Sequence, residues 1–231
     1  MAKEQGRRPI ALVTGGTSGI GLAIVGDLAR DHQVYAIGRR RAETAPLAGH
    51  PNVISVSLDL RDGAAVAAWV ATLPRLDTLV HSAAVARPFS VATATPEIWR
   101  QHFDINLFGP AELTRLTLPA LRASQGRIIF INSGSGTRPQ AGNSVYSASK
   151  FALHALAEAL RNEERAHGVR VATLYPGPTD TPMNRPEDGD DPLARSSPHS
   201  VARAVRLVID TDEDSQITEI VVRPRRDPAG R

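Results

Sequence analysis

The chain contains no cysteine, and only 4% of its 231 residues are aromatic. The absence of cysteine excludes disulfide bonds, a catalytic thiolate and cysteine-ligated zinc, and we predict no metal site. Long hydrophobic runs are also missing from the sequence. The first apolar run, IALV, leads directly into glycines and is too short for a membrane span or for the core of a signal peptide. We therefore expect a cytoplasmic protein without a membrane partner.

The composition is that of an ordinary globular domain, with 42% hydrophobic and 22% charged residues. The length suits one domain over residues 1–231, whose core takes its bulk from Ala and Val. The formal net charge is +3, and arginines cluster at residues 39–41 and again near the end of the chain. In residues 225–231 they stand among Pro and Gly, which predicts a flexible tail.

Apolar runs and amphipathic stretches alternate along the whole chain. The pattern predicts a single-domain, doubly wound α/β (Rossmann) fold, in which a seven-stranded parallel sheet carries helices on both faces. The predicted strands are residues 10–16, 34–38, 53–58, 76–82, 126–132, 169–175 and 219–224. The predicted helices are residues 20–30, 62–73, 95–124, 143–167 and 198–210.

Local sequence signals add detail in two regions of the chain. Thr95 is a suitable N-cap with Pro96 at the first helical position, and Gly109 with Pro110 predicts a bend within the long helical region. Residues 176–198 are rich in Pro and Asp, and we predict that they form a lid loop over a ligand site.

The segment TGGTSGIG (14–21) joins the first predicted strand to the first predicted helix. Its glycines, Gly15, Gly19 and Gly21, allow the backbone to approach a pyrophosphate, and the helix N-terminus offers N–H groups with a partial positive charge. A flexible turn is the alternative. The position between a strand and a helix favours a dinucleotide phosphate site.

The second predicted strand ends in VYAIGRR, where a dinucleotide-binding fold places the residue that contacts the adenosine ribose. Gly38 offers no carboxylate for a ribose 2′-hydroxyl, whereas Arg39 and Arg40 can hold a 2′-phosphate bidentately. We therefore predict NADP(H) as the preferred cofactor and NAD(H) as the alternative. A solvated turn or a nucleic-acid patch would also explain the arginines. Because neither stacking aromatics nor a nucleic-acid motif accompanies them, we expect no nucleic-acid partner.

The segment SVYSASK (144–150) places Tyr146 four residues before Lys150. On a helix this spacing brings the phenol and the ammonium to one face. Taken alone, such a pair is more often a surface feature than a catalytic one, so its interpretation depends on the other motifs.

Taken together, the motifs resemble those of the short-chain dehydrogenases/reductases over essentially the whole chain. Besides T-G-x-x-x-G-x-G and Y-x-x-x-K, LDL (58–60) is similar to the segment at the family's adenine pocket. DINLFG contains Asn106, and INSGSG contains Ser133 at the family's spacing of thirteen residues before Tyr146, with Ser135 as a nearby competitor. YPGPTDT (175–181) is similar to the loop that closes on the nicotinamide.

The resemblance implies two sets of site residues. The implied catalytic residues are Asn106, Ser133, Tyr146 and Lys150. The implied cofactor-binding residues are Gly15, Thr17, Ser18, Gly19, Ile20, Gly21, Arg39, Arg40, Asp59, Leu60, Ala83, Ala84, Tyr146, Lys150, Pro176, Gly177, Thr179 and Thr181.

Four positions in two segments depart from the family pattern. The N-N-A-G segment after the fourth strand is HSAA here (81–84), and Ser18 stands where many NADPH-using members have a basic residue. We expect His81 to pack and to form hydrogen bonds rather than to act as a base. The NADP(H) preference therefore rests on the two arginines after Gly38.

The resemblance implies an NADP(H)-dependent oxidoreductase that interconverts a small-molecule carbonyl and an alcohol by hydride transfer, with Tyr146 as general acid/base. A tyrosine of pKa about 10 needs a shift of roughly 3 units to act near neutral pH, or about 4 kcal/mol. An ammonium about 5 Å away contributes roughly 3 kcal/mol at an effective dielectric constant of about 20. We therefore expect Lys150 to lower the pKa of Tyr146 and to hold the nicotinamide ribose. Ser133 is expected to donate a hydrogen bond to the substrate oxygen, and Asn106 to anchor a water in a proton relay.

The same resemblance implies a homodimer or a homotetramer, and small residues along the predicted helix 143–167 suit close packing against another helix or against the protein's own sheet. The alternative function is a non-catalytic NADP(H)-binding sensor or interaction protein of the same fold. Such proteins typically lack the Tyr or the Lys, and this chain keeps both.

Overall fold

Seven parallel strands form one sheet in the computed structural model, which describes residues 7–39, 47, 49–184 and 191–226. The strand order is β3-β2-β1-β4-β5-β6-β7, which confirms the predicted doubly wound α/β fold. The order reverses between β1 and β4, and such a reversal opens a crevice at the carboxyl ends of the strands. The strands are β1 (Ile10–Thr14), β2 (Gln33–Gly38), β3 (Val53–Ser57), β4 (Thr78–His81), β5 (Arg127–Ile131), β6 (Arg170–Pro176) and β7 (Glu219–Val222).

Helices cover both faces of the sheet. Alternate residues of β1 point to opposite sides: Ala11 and Val13 join the core with α1 and α6, and Ile10 and Leu12 join the core with α4 and α5. Burial on both faces explains why the strands read as continuous apolar runs rather than as alternating ones. The helices are α1 (Gly19–Leu28), α2 (Gly63–Val70), α3 (Pro96–Phe103), α4 (Gly109–Ser124), α5 (Ser144–Glu164) and α6 (Pro198–Asp210).

The long helical region predicted over residues 95–124 begins as expected. Thr95 Oγ1 accepts a hydrogen bond from the Ile98 N–H at 3.5 Å, with Pro96 in the first turn. It is divided, however, by a π-helical turn at Asp104–Phe108, just before the predicted bend. A Cβ on Gly109 would lie 3.1 Å from the Leu60 Cβ, so the segment after β3 packs closely at this point.

The predicted lid and tail are described only in part. Within residues 176–184 and 191–198, Thr179 pairs with Ser196 in an isolated β-bridge. The Arg226 N–H donates to the Leu193 carbonyl oxygen at 2.9 Å. Residues 185–190 and 227–231 lie outside the described residues. Within the described ranges, no helix combines the length and the apolarity needed to cross a bilayer.

Candidate active site

The glycine-rich turn after β1 requires its glycines for steric reasons. Gly15 and Gly19 have left-handed φ values of +64° and +52°. A Cβ on Gly21 would lie 2.2 Å from the Gly15 carbonyl oxygen, and one on Gly15 would lie 2.8 Å from the Ala83 Cα. These close approaches leave no room for side chains. The backbone itself therefore forms the surface of the turn, as a pyrophosphate site requires.

Thr14, at the end of β1, ties this turn to the segment after β4. Its Oγ1 accepts hydrogen bonds from the N–H groups of Ser82 at 3.1 Å and Ala83 at 3.2 Å. The sequence motif includes Thr14, but its contact partners are sixty-eight and sixty-nine residues away, and only the sheet topology brings them together.

A cleft of about 260 Å³ lies beyond the carboxyl ends of β1 to β5. Asn106, Ser133, Pro176, Gly177 and Thr179 do not contribute to its wall in this structure. Arg40 lies outside the described residues. The predicted site residues that line the cleft are Gly15, Thr17, Ser18, Gly19, Ile20, Gly21, Arg39, Asp59, Leu60, Ala83, Ala84, Tyr146, Lys150 and Thr181.

Gly38 and Arg39 form the end of the cleft beside β2. A Cβ on Gly38 would lie 2.4 Å from the Thr17 side chain, so the strand end packs directly against the glycine-rich turn. The Asp59 carboxylate accepts hydrogen bonds from the Arg61 guanidinium, with Nε to Oδ1 at 3.0 Å. This contact lowers the pKa of Asp59 to about 2, and the charge of Arg39 contributes in the same direction. Sequence reasoning missed Arg61, which orients the predicted adenine-pocket carboxylate.

Tyr146 and Lys150 lie close to each other on the first turns of α5, as their spacing predicted. The Lys150 Nζ lies 5.9 Å from the centre of the Tyr146 ring and donates to the Ile131 carbonyl oxygen at 3.0 Å. Burial lowers the pKa of Lys150 to about 7. Burial also raises the pKa of Tyr146, and a hydrogen bond from Ser133 offsets part of that rise.

The predicted lowering of the Tyr146 pKa does not occur in this structure, because burial of the phenol outweighs the hydrogen bond from Ser133. Lys150 is only 1% exposed, and burial disfavours its charged form as well. Desolvation of the phenol also opposes its ionisation, and this effect dominates at Tyr146.

Ser133 is held in place by a neighbour that sequence reasoning missed. The buried Asn132 amide accepts a hydrogen bond from the Ser133 N–H at 2.9 Å and donates to the Lys150 carbonyl oxygen at 3.1 Å. The Ser133 Oγ accepts from the Ser135 N–H at 3.1 Å, which leaves its own hydrogen for Tyr146 or a substrate oxygen. Asn132 thus links the end of β5 to α5.

Asn106 lies in the π-helical turn and is fully buried. Its Oδ1 accepts from the Val85 N–H, and its Nδ2 donates to the Val85 carbonyl oxygen and to Ser149 Oγ, all at 2.9 Å. Ser149 Oγ in turn donates to the Tyr146 carbonyl oxygen at 2.7 Å. The side-chain amide of Asn106 therefore links the segment after β4 to α5, which carries Tyr146 and Lys150, and both of its amide hydrogens are already donated.

His81 packs beneath the site, as its place in the sequence predicted. Its ring stacks on Phe130 with centroids 4.9 Å apart, and Nε2 lies 2.9 Å from Thr114 Oγ1. Burial, with a smaller contribution from the charge of Lys150, lowers the pKa of His81 to about 3. A histidine whose protonated form is this strongly disfavoured fits a packing role rather than that of a base.

A second polar cluster lies farther along α5. Ligand atoms of His154, Glu158 and Glu219 lie within 4.8 Å of one another. The Tyr175 O–H donates to Glu219 at 2.7 Å, His154 Nδ1 lies 2.6 Å from the same hydroxyl, and Glu158 pairs with Arg161 at 2.7 Å. These contacts account for the cluster as a hydrogen-bonded network between α5, β6 and β7.

Comparison with known proteins agrees with this geometry. The family model for short chain dehydrogenase matches residues 9–191. An NADP-dependent 3-hydroxy acid dehydrogenase of Salmonella typhi is 35% identical over 177 residues, which cover 73% of this chain and 71% of the relative. An uncharacterized oxidoreductase of Staphylococcus epidermidis is 29% identical over 226 residues, which cover 94% of this chain and 98% of the relative.

Similarity also extends to solved structures. The closed form of serine dehydrogenase complexed with NADP+ has a TM-score of 0.86 and 31% identity, covering 93% of this chain and 94% of that chain. Since the family model spans most of the chain and its motifs converge on one cleft, the protein belongs to the short-chain dehydrogenases, a family of oxidoreductases.

Proposed function

We propose that the protein is an NADP(H)-dependent oxidoreductase that interconverts a carbonyl and an alcohol on a small molecule. The observation that carries the proposal is the position of Tyr146 and Lys150 in the wall of the cleft that the glycine-rich turn also lines, with Ser133 hydrogen-bonded to Tyr146. A phenol, a hydroxyl and an amine in this arrangement are groups that can move a proton at a reacting oxygen and stabilise charge there.

The residues of the cleft fit a dinucleotide. The Gly15 and Gly21 backbones approach so closely that a Cβ on either would clash, which suits a pyrophosphate cradle. When bound, the cofactor supplies or accepts the hydride. Arg39, in the wall of the cleft after β2, is the described residue that would hold a 2′-phosphate. This supports NADP(H) over NAD(H), as do the relative named NADP-dependent and the similar structure complexed with NADP+.

Tyr146 is proposed as the general acid when a carbonyl is reduced. Burial raises the pKa of its phenol, so the hydroxyl holds its proton at neutral pH and can donate it to a substrate oxygen. Ser133 donates a second hydrogen bond to the same oxygen. Lys150 places an amine beside the phenol, with Nζ 5.9 Å from the centre of the Tyr146 ring, and burial lowers its pKa to about 7.

Assembly into a homodimer or a homotetramer is part of the proposal. Phe108 and Phe151 are 57% and 40% exposed, on elements that pack against each other beside the site. Large apolar side chains that are exposed on two elements in contact favour a protein interface. Light scattering on the eluting peak of a size-exclusion column tests this: a monomeric mass would contradict it.

The function is tested by titrating the protein with NADPH and by following NADPH absorbance with a panel of carbonyl compounds. We expect a fluorescence change on NADPH binding and carbonyl-dependent NADPH consumption. A non-catalytic sensor would bind NADPH and leave every carbonyl unreduced. A nucleic-acid binder would show salt-dependent binding to DNA or RNA and no fluorescence change.

A further inference from the structure

Arg223, the residue that follows β7, lies against two glycines in the loops after β5 and β6. A Cβ built on Gly134 would lie 3.0 Å from Nη2 of Arg223 and 3.3 Å from its Cζ. A Cβ built on Gly177 would lie 3.0 Å from the Arg223 Cδ and 3.6 Å from its Nη1. The guanidinium therefore crosses from the loop after β6 to the loop after β5, and it occupies space that side chains at these two positions would fill.

Both glycines adjoin residues of the proposed chemistry. Gly134 follows Ser133 directly, and consecutive Cα atoms are about 3.8 Å apart. Gly177 follows Pro176 at the end of β6, and its N–H donates to the Val222 carbonyl oxygen at 2.8 Å. Because β5, β6 and β7 are adjacent parallel strands, their carboxyl ends share one edge of the sheet. The guanidinium thus lies against the residue next to Ser133, on the edge of the sheet where β5, β6 and β7 end.

The chemistry of the side chain indicates what it would bind. Guanidinium is planar and permanently charged, and its five N–H donors form a fork that matches a carboxylate bidentately. Five donors also allow a carboxylate to bind while contacts to the protein are kept. Arg223 is an exposed residue, so a ligand has access to it.

We propose that Arg223 binds the carboxylate of the substrate, and that the substrates are small oxo acids and the corresponding hydroxy acids. The carboxylate would lie one or two carbons from the carbonyl whose oxygen Ser133 and Tyr146 contact. This inference rests on the proposed function, because it assigns the substrate class of the same site. Arg223 adds charge recognition to a site whose other proposed groups act on the reacting oxygen alone.

The test compares each acid with its neutral ester. The kcat/KM values for pyruvate, methyl pyruvate, acetoacetate and methyl acetoacetate are measured with NADPH for the wild type, Arg223→Gln and Arg223→Lys. Arg225→Gln is the matched control, since Arg225 is an exposed arginine two residues along the chain. We expect Arg223→Gln to lose at least about tenfold in kcat/KM for an acid, mainly through KM, because charge-assisted hydrogen bonds are lost. The esters should be unaffected, Arg223→Lys should retain part of the preference, and Arg225→Gln should match the wild type.

Two results would overturn the inference. One is an equal fall for acids and esters in Arg223→Gln, which would make Arg223 a bridge between loops only. The other is a wild type that reduces neutral carbonyls and leaves both acids unreduced. If the wild type reduces no carbonyl at all, the proposed function fails. Calorimetric titration of acetoacetate into the NADP+-loaded protein then still tests whether Arg223 binds a carboxylate. Binding that is lost in Arg223→Gln would support it, and equal binding by the two proteins would refute it.

Discussion

The Nζ of Lys150 lies 5.9 Å from the centre of the Tyr146 ring and donates its hydrogen bond to the Ile131 carbonyl oxygen. The amine is therefore placed against the backbone at the end of β5, in a buried position that disfavours its charge. Burying an amine costs stability whenever it is protonated. The proposed function of Lys150 and its effect on stability thus oppose each other, and this opposition can be measured.

Lys150→Met should raise the thermal stability while abolishing turnover. The folded pKa of Lys150 is about 7 and the ordinary value is 10.5, so between these pH values the unfolded wild type binds more protons than the folded one. The free energy of unfolding of the wild type therefore rises with pH over this window. The advantage of Lys150→Met should be largest below pH about 7 and should shrink toward pH 10.5. One unit of pKa shift corresponds to about 1.4 kcal/mol, so we expect a difference of a few kcal/mol in the acid range.

Thermal unfolding of both proteins at several pH values measures this effect. The lost hydrogen bond to Ile131 affects the variant equally at every pH, so the slope isolates the buried charge. A difference in Tm that does not vary with pH would show that burial does not disfavour the charged form of Lys150.

Arg39→Asp should weaken NADPH binding by about ten- to a hundredfold, since hydrogen bonds to a charged phosphate contribute about 1.5–3 kcal/mol. NADH binding should change much less, because NADH has no 2′-phosphate. Fluorescence titration with each cofactor gives the ratio of dissociation constants. Arg203→Asp makes the same charge change at an exposed position on α6 and should leave the ratio as it is. An unchanged ratio in Arg39→Asp would mean that this residue does not select the cofactor.

Asn132→Ala should lower kcat by at least about tenfold and leave NADPH affinity within a factor of about two, since Asn132 orients Ser133 rather than the glycine-rich turn. Removing this buried amide should also cost about 1–3 kcal/mol of stability. Asn162→Ala is the control, because Asn162 donates to a helix carbonyl of α5 from an exposed position. Normal kcat in folded Asn132→Ala would show that Ser133 needs no such support.

Gly21→Ala and Gly63→Ala should have opposite effects on stability. A Cβ on Gly21 would lie 2.2 Å from the Gly15 carbonyl oxygen, so the substitution must displace the turn, lowering Tm and weakening NADPH binding at least about tenfold. A Cβ on Gly63, at the start of α2, would meet no described atom within 4 Å. Alanine there should stabilise by up to about 1 kcal/mol, mainly through the unfolded chain. If Gly21→Ala behaved like Gly63→Ala in urea unfolding and NADPH titration, the cradle would not be sterically constrained.

Much of the fold could be predicted because its signals are local. The apolar run around Leu12 and Val13 indicated a strand that is buried on both faces, and both faces are covered. Thr95 caps its helix as the sequence indicated, and Gly168, with φ of +72°, ends the helical segment that carries the tyrosine. The π-helical turn around Asn106 was not predicted, since its residues give no pattern distinct from an α-helix.

The site was predictable in its motifs and less so in its contacts. Tyr146 and Lys150 line the cleft together with the glycines of the turn after β1. Asn132 went unrecognised because its amide also donates to the Lys150 carbonyl oxygen, eighteen residues away on α5. Arg223 went unrecognised because it meets Gly134 and Gly177 only through the order of β5, β6 and β7. The pKa of Tyr146 is raised rather than lowered, because burial of the phenol depends on how the whole core packs around it. The spacing of Tyr146 and Lys150 in the sequence does not reveal this burial.

The central claim is that a hydride passes from NADPH to a carbonyl carbon while Tyr146 supplies the proton. The most direct measurement uses NADPH deuterated at both C4 positions, with a carbonyl that the wild type reduces, and mass spectrometry of the alcohol. We predict one deuterium on the former carbonyl carbon with the wild type. We also predict a rate at least about a thousandfold lower with Tyr146→Phe, which retains NADPH binding. Unlabelled alcohol from the wild type, or labelled alcohol formed at the wild-type rate by Tyr146→Phe, would contradict the account.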